Sequence, residues 1–233
     1  MEVKNIQISD SLSDIARVGV VFFKQLANGP VSTAMRQRME ELAAELQRSL
    51  GGRRLAQLEP VARNRKLYRL VGIDPTKDRP SSEKLLRRVV KGKPLPKVNK
   101  LVDAMNYVSL RLQCPMGVYD WDRIVPPVLV RIGRPNEGYY GLSNSGPSKE
   151  GEEPSRDLIN MHGRLVLVDG EGLFGNPSHD SERSRVTLGT VRAMMVAWAP
   201  AEAPRKFLES VIEEVTELCE EHCDAKVATS GIL

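Results

Sequence analysis

The stretch Leu95-Pro96-Lys97-Val98-Asn99-Lys100-Leu101-Val102-Asp103-Ala104-Met105-Asn106-Tyr107-Val108, running on to Cys114-Pro115-Met116-Gly117-Val118-Tyr119-Asp120, carries most of the information in this chain. Pro94 and Pro96 set a short extended link, after which the spacing predicts a helix from about Val98 to Leu112, broken by Pro115. Asn99, Asp103 and Asn106 stand at i, i+4 and i+7, on one face of that helix. Upstream, Pro80-Ser81-Ser82-Glu83 opens a helix that Gly92 ends, with Ser81 and Ser82 as plausible N-caps. A helix over Leu55–Leu70 and another over Thr33–Leu50, capped by Ser32 and stopped by Gly51-Gly52, precede it. Arg17–Leu26 reads as a buried strand, and Asn28-Gly29-Pro30 as a turn.

Downstream the pattern changes. Val128–Ile132, Arg164–Val168 and Val191–Ala199 read as strands, Arg134–Gly141 as a hairpin, and Ser143–Pro154 as a mobile loop rich in Ser, Gly and Pro. Arg205–Cys223 is an amphipathic helix. Helices early and strands late imply an α+β fold rather than a βαβ repeat. No internal repeat or composition break divides the 233 residues, so one domain is expected.

Composition narrows the class. With 41% hydrophobic and 27% charged residues the chain can build a core. Three Cys are no disulfide framework, and a reducing, cytoplasmic setting is expected. The longest apolar run, Val18–Phe23, is far too short to span a bilayer, and the first residues lack a signal-peptide plan. The net charge of +4 is unevenly spread. Residues 53–100 hold 15 Lys+Arg and four Asp+Glu, whereas residues 201–224 hold two basic and eight acidic residues. The first segment suits a polyanion, the density of its basic residues favouring that over the bland reading of two solvated helix faces. Arg79, Lys84, Arg87, Arg88 and Lys91 are the candidate RNA-phosphate contacts, Arg79 lying just before a helix start.

Two sets of motifs carry a resemblance. Pro80–Arg88 followed by Leu95–Val108 and Cys114–Asp120 resembles the B3/B4 domain of the β subunit of bacterial phenylalanyl-tRNA synthetase, with its pattern N-x-x-V-D-x-x-N-Y-V and Q-P-M-H-A-[YF]-D. Asp169-Gly170-Glu171-Gly172-Leu173-Phe174-Gly175 and Asp180-Ser181-Glu182-Arg183-Ser184-Arg185-Val186-Thr187 resemble free-standing B3/B4 proteins. The likeness covers roughly residues 60–200, leaving 1–59 as an N-terminal strand and helix extension and 201–233 as a C-terminal helix and tail. It implies a mixed α/β sandwich with helices packed on sheets. It also implies a trans-editing hydrolase that deacylates mischarged aminoacyl-tRNA, with the charged 3′ end of tRNA as partner. Alternatives are a non-catalytic tRNA- or RNA-binding module and a pocket protein for a free amino acid or related metabolite. Against the pattern, Gly117 stands where the family has His and Cys114 where it has Gln. The Gly pair of the synthetase loop is Gly175-Asn176. Strand Val191–Trp198 lacks the carboxylate that reads a tyrosine hydroxyl there, so tyrosine specificity does not carry over.

Ester hydrolysis needs a placed water, donors for the developing oxyanion and an amino-acid pocket. Asp103, Asn106 and Gly175 are the candidate catalytic residues, and Asn99, Asp180, Ser181, Arg183 and Thr187 the candidate substrate contacts. One carboxylate between two carboxamides could hold an ammonium, a ribose or a water, or could simply satisfy backbone groups. Gly175 permits close backbone approach to a ligand. Asp180 and Arg183 could pair to shape the pocket. His179, Asp180 and Ser181 are adjacent in sequence, which is not how a catalytic triad is assembled. Cys219, His222 and Cys223 lack a second ligand pair, so no metal and no organic cofactor are expected.

Overall fold

The computed structural model describes residues 3–142 and 158–233, and the loop expected at Ser143–Pro154 lies outside them. The order is β1 (Ile6–Ile8), β2 (Ala16–Gln25), α1 (Thr33–Leu50), α2 (Glu59–Leu70), α3 (Ser81–Val90), α4 (Lys100–Leu112), β3 (Met116–Asp120) and β4 (Val128–Ile132). Then come β5 (Gly138–Tyr140), β6 (Leu158–Asn160), β7 (Leu165–Asp169), β8 (Gly172–Gly175), β9 (Ala193–Pro200), α5 (Arg205–Cys223) and β10 (Lys226–Ile232).

Three layers result. The antiparallel sheet β10-β2-β9-β3 lies in the middle. One of its faces, with Val21, Phe23, Met116, Val118, Met195 and Ala197, packs on α4 and α5. The opposite face, with Val20, Phe22, Tyr119, Met194, Val196 and Trp198, packs on the second sheet, β1-β4-β7-β8. Every residue of β9 is buried, which is why its sequence is a continuous apolar run and not an alternating one. The α+β fold expected from the order of elements is the one observed, and its layers agree with the sandwich that the resemblance implies.

Several local expectations need correction. The helix expected over Leu55–Leu70 is divided into a short 3₁₀ turn (Leu55–Gln57) and α2, because Pro60 lacks an N–H and fits only the first turn of a helix. Ser81 and Ser82 do not cap α3. Ser81 Oγ bonds the backbone of Met116, and Ser82 Oγ accepts from Asn64 Nδ2. The hairpin expected within 134–141 is instead β5 paired with β6, across residues distant in sequence. Strand β10, with polar residues between its apolar ones, carried no signal above a tail, yet it pairs with β2. No helix of the described residues is long and apolar enough to cross a membrane.

The doubly covered sheet should dominate stability. Trp198, fully enclosed on β9, has an indole N–H without a partner among the described residues. Trp198→Ala is expected to cost about 3–5 kcal/mol in urea denaturation. Trp198→Phe should cost much less, because no hydrogen bond is lost with the indole. A loss below about 1 kcal/mol for Trp198→Ala would contradict this packing.

Candidate functional site

Gly117 and Tyr119 alternate with Val118 along β3 and face the second sheet. The Tyr119 ring is fully buried and meets Phe174 edge-on, with centroids 5.3 Å apart. It lies between two glycines. A Cβ on Gly117 would stand 2.7 Å from Tyr119 Cζ, and one on Gly175 2.5 Å from it. Both positions therefore accept only a residue without a side chain while the ring is there. The phenol has no partner among the described residues, and burial raises its pKa well above the usual value.

The loop after β8 starts at Gly175, beside this ring, and is held from within. Asn176 Oδ1 accepts from the backbone N–H groups of Ser178 (2.8 Å) and His179 (2.7 Å). Pro177 O accepts from Ser81 N at 3.0 Å, and Ser178 Oγ meets the Tyr68 hydroxyl at 2.6 Å. The Lys84 stem is exposed, yet its ammonium donates to Ser178 O at 2.6 Å. Desolvation of that ammonium lowers its pKa, with Asp78 and Asp180 opposing the shift. Asp180 is joined through its backbone to Gly175. Burial pushes its carboxyl up to about 6, and nearby Lys84 limits the rise. Ser181, its neighbour, lines an open cleft of about 600 Å³ with Tyr139, Tyr140, Glu171 and Arg183.

Three residues here were missed in the sequence. Asp78 forms an ion pair with Arg164 (2.7 Å) and a hydrogen bond with His179 Nε2 (3.1 Å), and Tyr139 donates its hydroxyl to His179 O (2.7 Å). Asp78, Arg164 and Tyr139 belong to three distant segments, so no local spacing could have assembled them. His179, adjacent in sequence to Asp180 and Ser181, meets Asp78 through its ring.

The other nominated residues separate into groups. Asn99 is the N-cap of α4, accepting from Val102 N at 2.9 Å. Asp103 is fully buried and accepts from Val98 N at 3.1 and 3.4 Å. Asn106 is half-buried on the same helix. Helix α4 packs on the helix-covered face of the central sheet, whereas Gly175 belongs to the second sheet on the far side. The expected meeting of Asn99, Asp103 and Asn106 with Gly175 is not made, because the central sheet lies between them.

Arg183 does not pair with Asp180. It forks onto Asp169 at 2.9 and 3.1 Å, and Asp169 also accepts from the backbone N–H groups of Glu171 and Gly172 in the β7–β8 turn and of Val125 before β4. Ser181 Oγ accepts from Arg183 N at 3.2 Å. Thr187 is a loop tie: its N–H donates to Thr190 Oγ1, and its carbonyl accepts from Asn28 Nδ2. Among the basic residues, Arg65 holds buried Glu83 through two bonds of 2.8 and 2.7 Å. Arg79 (3.9 Å) and Arg87 (3.6 Å) flank the same carboxylate, while Arg88 donates to Pro94 O and Lys91 is exposed. Part of the basic run is therefore internal neutralisation of Glu83.

The family model described as "B3/4 domain" matches residues 63–224. No curated protein matches the chain. Among solved structures, an N-terminal fragment of the phenylalanyl-tRNA synthetase β-subunit from Pyrococcus horikoshii is similar at 13% identity and a TM-score of 0.46. The match covers 95% of this chain and 49% of that one, so the chain spans about half the length of its neighbour.

Asp180 and Asp103 share a signature testable by pH. Both carboxyls are raised from 3.8 to about 6, so the folded state holds their protons more tightly than the unfolded chain does. Stability should therefore fall as pH rises from about 4 to about 6 and level off above that range. Asp180→Asn is expected to remove part of this fall in denaturation midpoints recorded across that window. An unchanged pH profile would contradict the placement of its carboxyl.

Proposed function

Because the chain belongs to the B3/4 domain family, we propose that it acts on tRNA as a deacylase, hydrolysing the ester of a mischarged aminoacyl-tRNA. One observation carries the reading: a carboxyl raised to about 6 and a packed ammonium, Asp180 and Lys84, sit together at the loop that bears the family motif. A base with such a pKa is partly ionised near neutrality and still willing to take a proton. In this reading Asp180 takes a proton from water as the water oxygen attacks the ester carbonyl. Lys84 offers its positive charge to the oxyanion. The bond to the ribose oxygen then breaks, and that oxygen receives the proton, leaving free amino acid and tRNA. The cleft beside Ser181 is the approach for the 3′ end, its volume lying in the range of small-molecule sites. Exposed Arg88 and Lys91, with Arg79 and Arg87, would meet phosphates.

A second reading has its own support. The Tyr119 ring fills the space between Gly117 and Gly175, where the resemblance puts the reacting centre. That favours a tRNA-binding module without hydrolysis.

A panel of charged tRNAs separates the two. The deacylase reading expects release of at least one noncognate amino acid faster than the spontaneous rate. Asp180→Asn should slow that release by about 100-fold or more. Salt-sensitive tRNA binding with no acceleration across the panel would overturn the hydrolase and leave the binding module.

A further inference from the structure

Helix α1 turns one stripe of residues, Arg36, Met39, Ala43 and Gln47 at i, i+3, i+7 and i+11, toward the link 92–97. The leucines of the neighbouring stripe, Leu42, Leu46 and Leu50, go into a core shared with α3. Pro94 and Pro96 lack N–H groups and keep the link extended. It runs antiparallel to α1 and meets it at two places. Lys97 stands 3.9 Å from Glu40, and a Cβ on Gly92 would stand 3.3 Å from the amide nitrogen of Gln47. The link is also fixed to α3: Lys93 N donates to Arg88 O at 3.0 Å, and Pro94 O accepts from Arg88 Nε. Between its two contacts with the link, α1 offers only Ala43 and Ala44, too short to fill the gap. A cleft of about 300 Å³ is left.

Its accessible walls are apolar, from half-buried Ala43, Ala44, Leu95 and Pro96, over a floor of buried Met39 and Val89. Its rim is exposed and cationic, from Arg36, Lys93 and Lys97. The negative groups are already engaged. Glu40 faces Lys97, and Asp103 is wholly enclosed and accepts from Val98 N. Arg36 and Lys93 make no ion pair among the described residues. Arg36 and Lys97 stand at the end where α1 and α4 begin, so two helix N-termini add positive potential there. The cleft therefore joins an unspent positive end to an apolar trough about 16 Å long, the rise of α1 from Arg36 to Gln47. Its volume is at the low end of the range of small-ligand sites.

We infer that this cleft binds a medium-chain carboxylic acid as its anion, the carboxylate on Arg36 and Lys97 and the alkyl chain along Ala43, Ala44 and Leu95 toward Gly92. A guanidinium offers a carboxylate two parallel donors, and the ammonium of Lys97 adds a second charge. The alkyl chain takes both its own methylenes and the half-buried wall out of water. A phosphate would use the cations and leave the wall wet. A long-chain amine would use the wall and set its charge against the rim. None of these residues belongs to the loop after β8, so the inference stands whether or not tRNA is deacylated.

Isothermal titration of the full chain with butanoate, hexanoate and octanoate tests it. Affinity is expected to rise about tenfold for each pair of methylenes added, and octanoate to bind with a dissociation constant below about 1 mM. Octylamine, with the same chain and a positive head, should bind about tenfold more weakly or worse. Replacing both rim cations, Arg36→Gln with Lys97→Gln, should weaken octanoate by about three- to tenfold. Ala44→Leu, which fills the gap, should block it. Thermal melting establishes that each variant is folded. No octanoate binding up to about 5 mM overturns the inference. So does octylamine binding as tightly as octanoate, or octanoate binding unchanged in the folded variants. Light scattering that finds a dimer in the wild type and a monomer in Ala44→Leu would put a second copy of the chain in the cleft and overturn it equally.

Discussion

Burial of β9 on both faces is the constraint from which the rest of the molecule follows. A strand with eight enclosed residues must be flanked on each side by a layer that is itself apolar. Helices α4 and α5 supply one layer and the sheet β1-β4-β7-β8 the other. The strands on either side of β9 inherit the alternation: Met116 and Val118 of β3 go to the helices, and Tyr119 to the second sheet. Two neighbourhoods are created in this way, and they cannot exchange residues.

On the sheet side, Tyr119 needs Gly117 and Gly175, the second of which leads into the loop after β8. The loop then presents its own polar atoms to α2 and α3. Pro177 O, Ser178 O and Ser178 Oγ each meet a donor or hydroxyl from Ser81, Lys84 or Tyr68. The helix is held at its other face by Glu83, whose burial is tolerable because Arg65 forks onto it with Arg79 and Arg87 alongside. The charge that seemed free for a polyanion is thus partly used to hold the framework of the candidate site. On the helix side, Asp103 is wholly enclosed and accepts from the backbone N–H of Val98.

Much of the fold was legible because strong local signals coincide with it. Ser32 caps α1, accepting from Met35 N as its position suggests. Pro115 follows α4 just before β3, whereas Asn99, read as part of that helix's face, is its N-cap. The run of apolar residues in β9 announced an enclosed strand. What was illegible depends on distant partners. Nothing in Ser81 and Ser82 reveals that Met116 and Asn64 take their hydroxyls from the helix end. Strand β5 is defined by β6, and β10 by β2. The candidate site shows the same division. Gly175, Asp180 and Ser181 lie together because they share one loop, so local sequence grouped them correctly in space. The i, i+4, i+7 pattern of Asn99, Asp103 and Asn106 was real as spacing, but spacing on one helix cannot say which side of a sheet that helix covers. Asp78 with Arg164 and His179 is wholly tertiary.

We propose that tRNA meets the side of the central sheet that carries Tyr119 and the loop after β8. Hydrogen–deuterium exchange on the full chain, with and without tRNA, measures this directly. The account predicts that tRNA slows exchange in 175–183 and at the start of α3 and leaves α5 unchanged. Protection confined to α4 or α5 would contradict it.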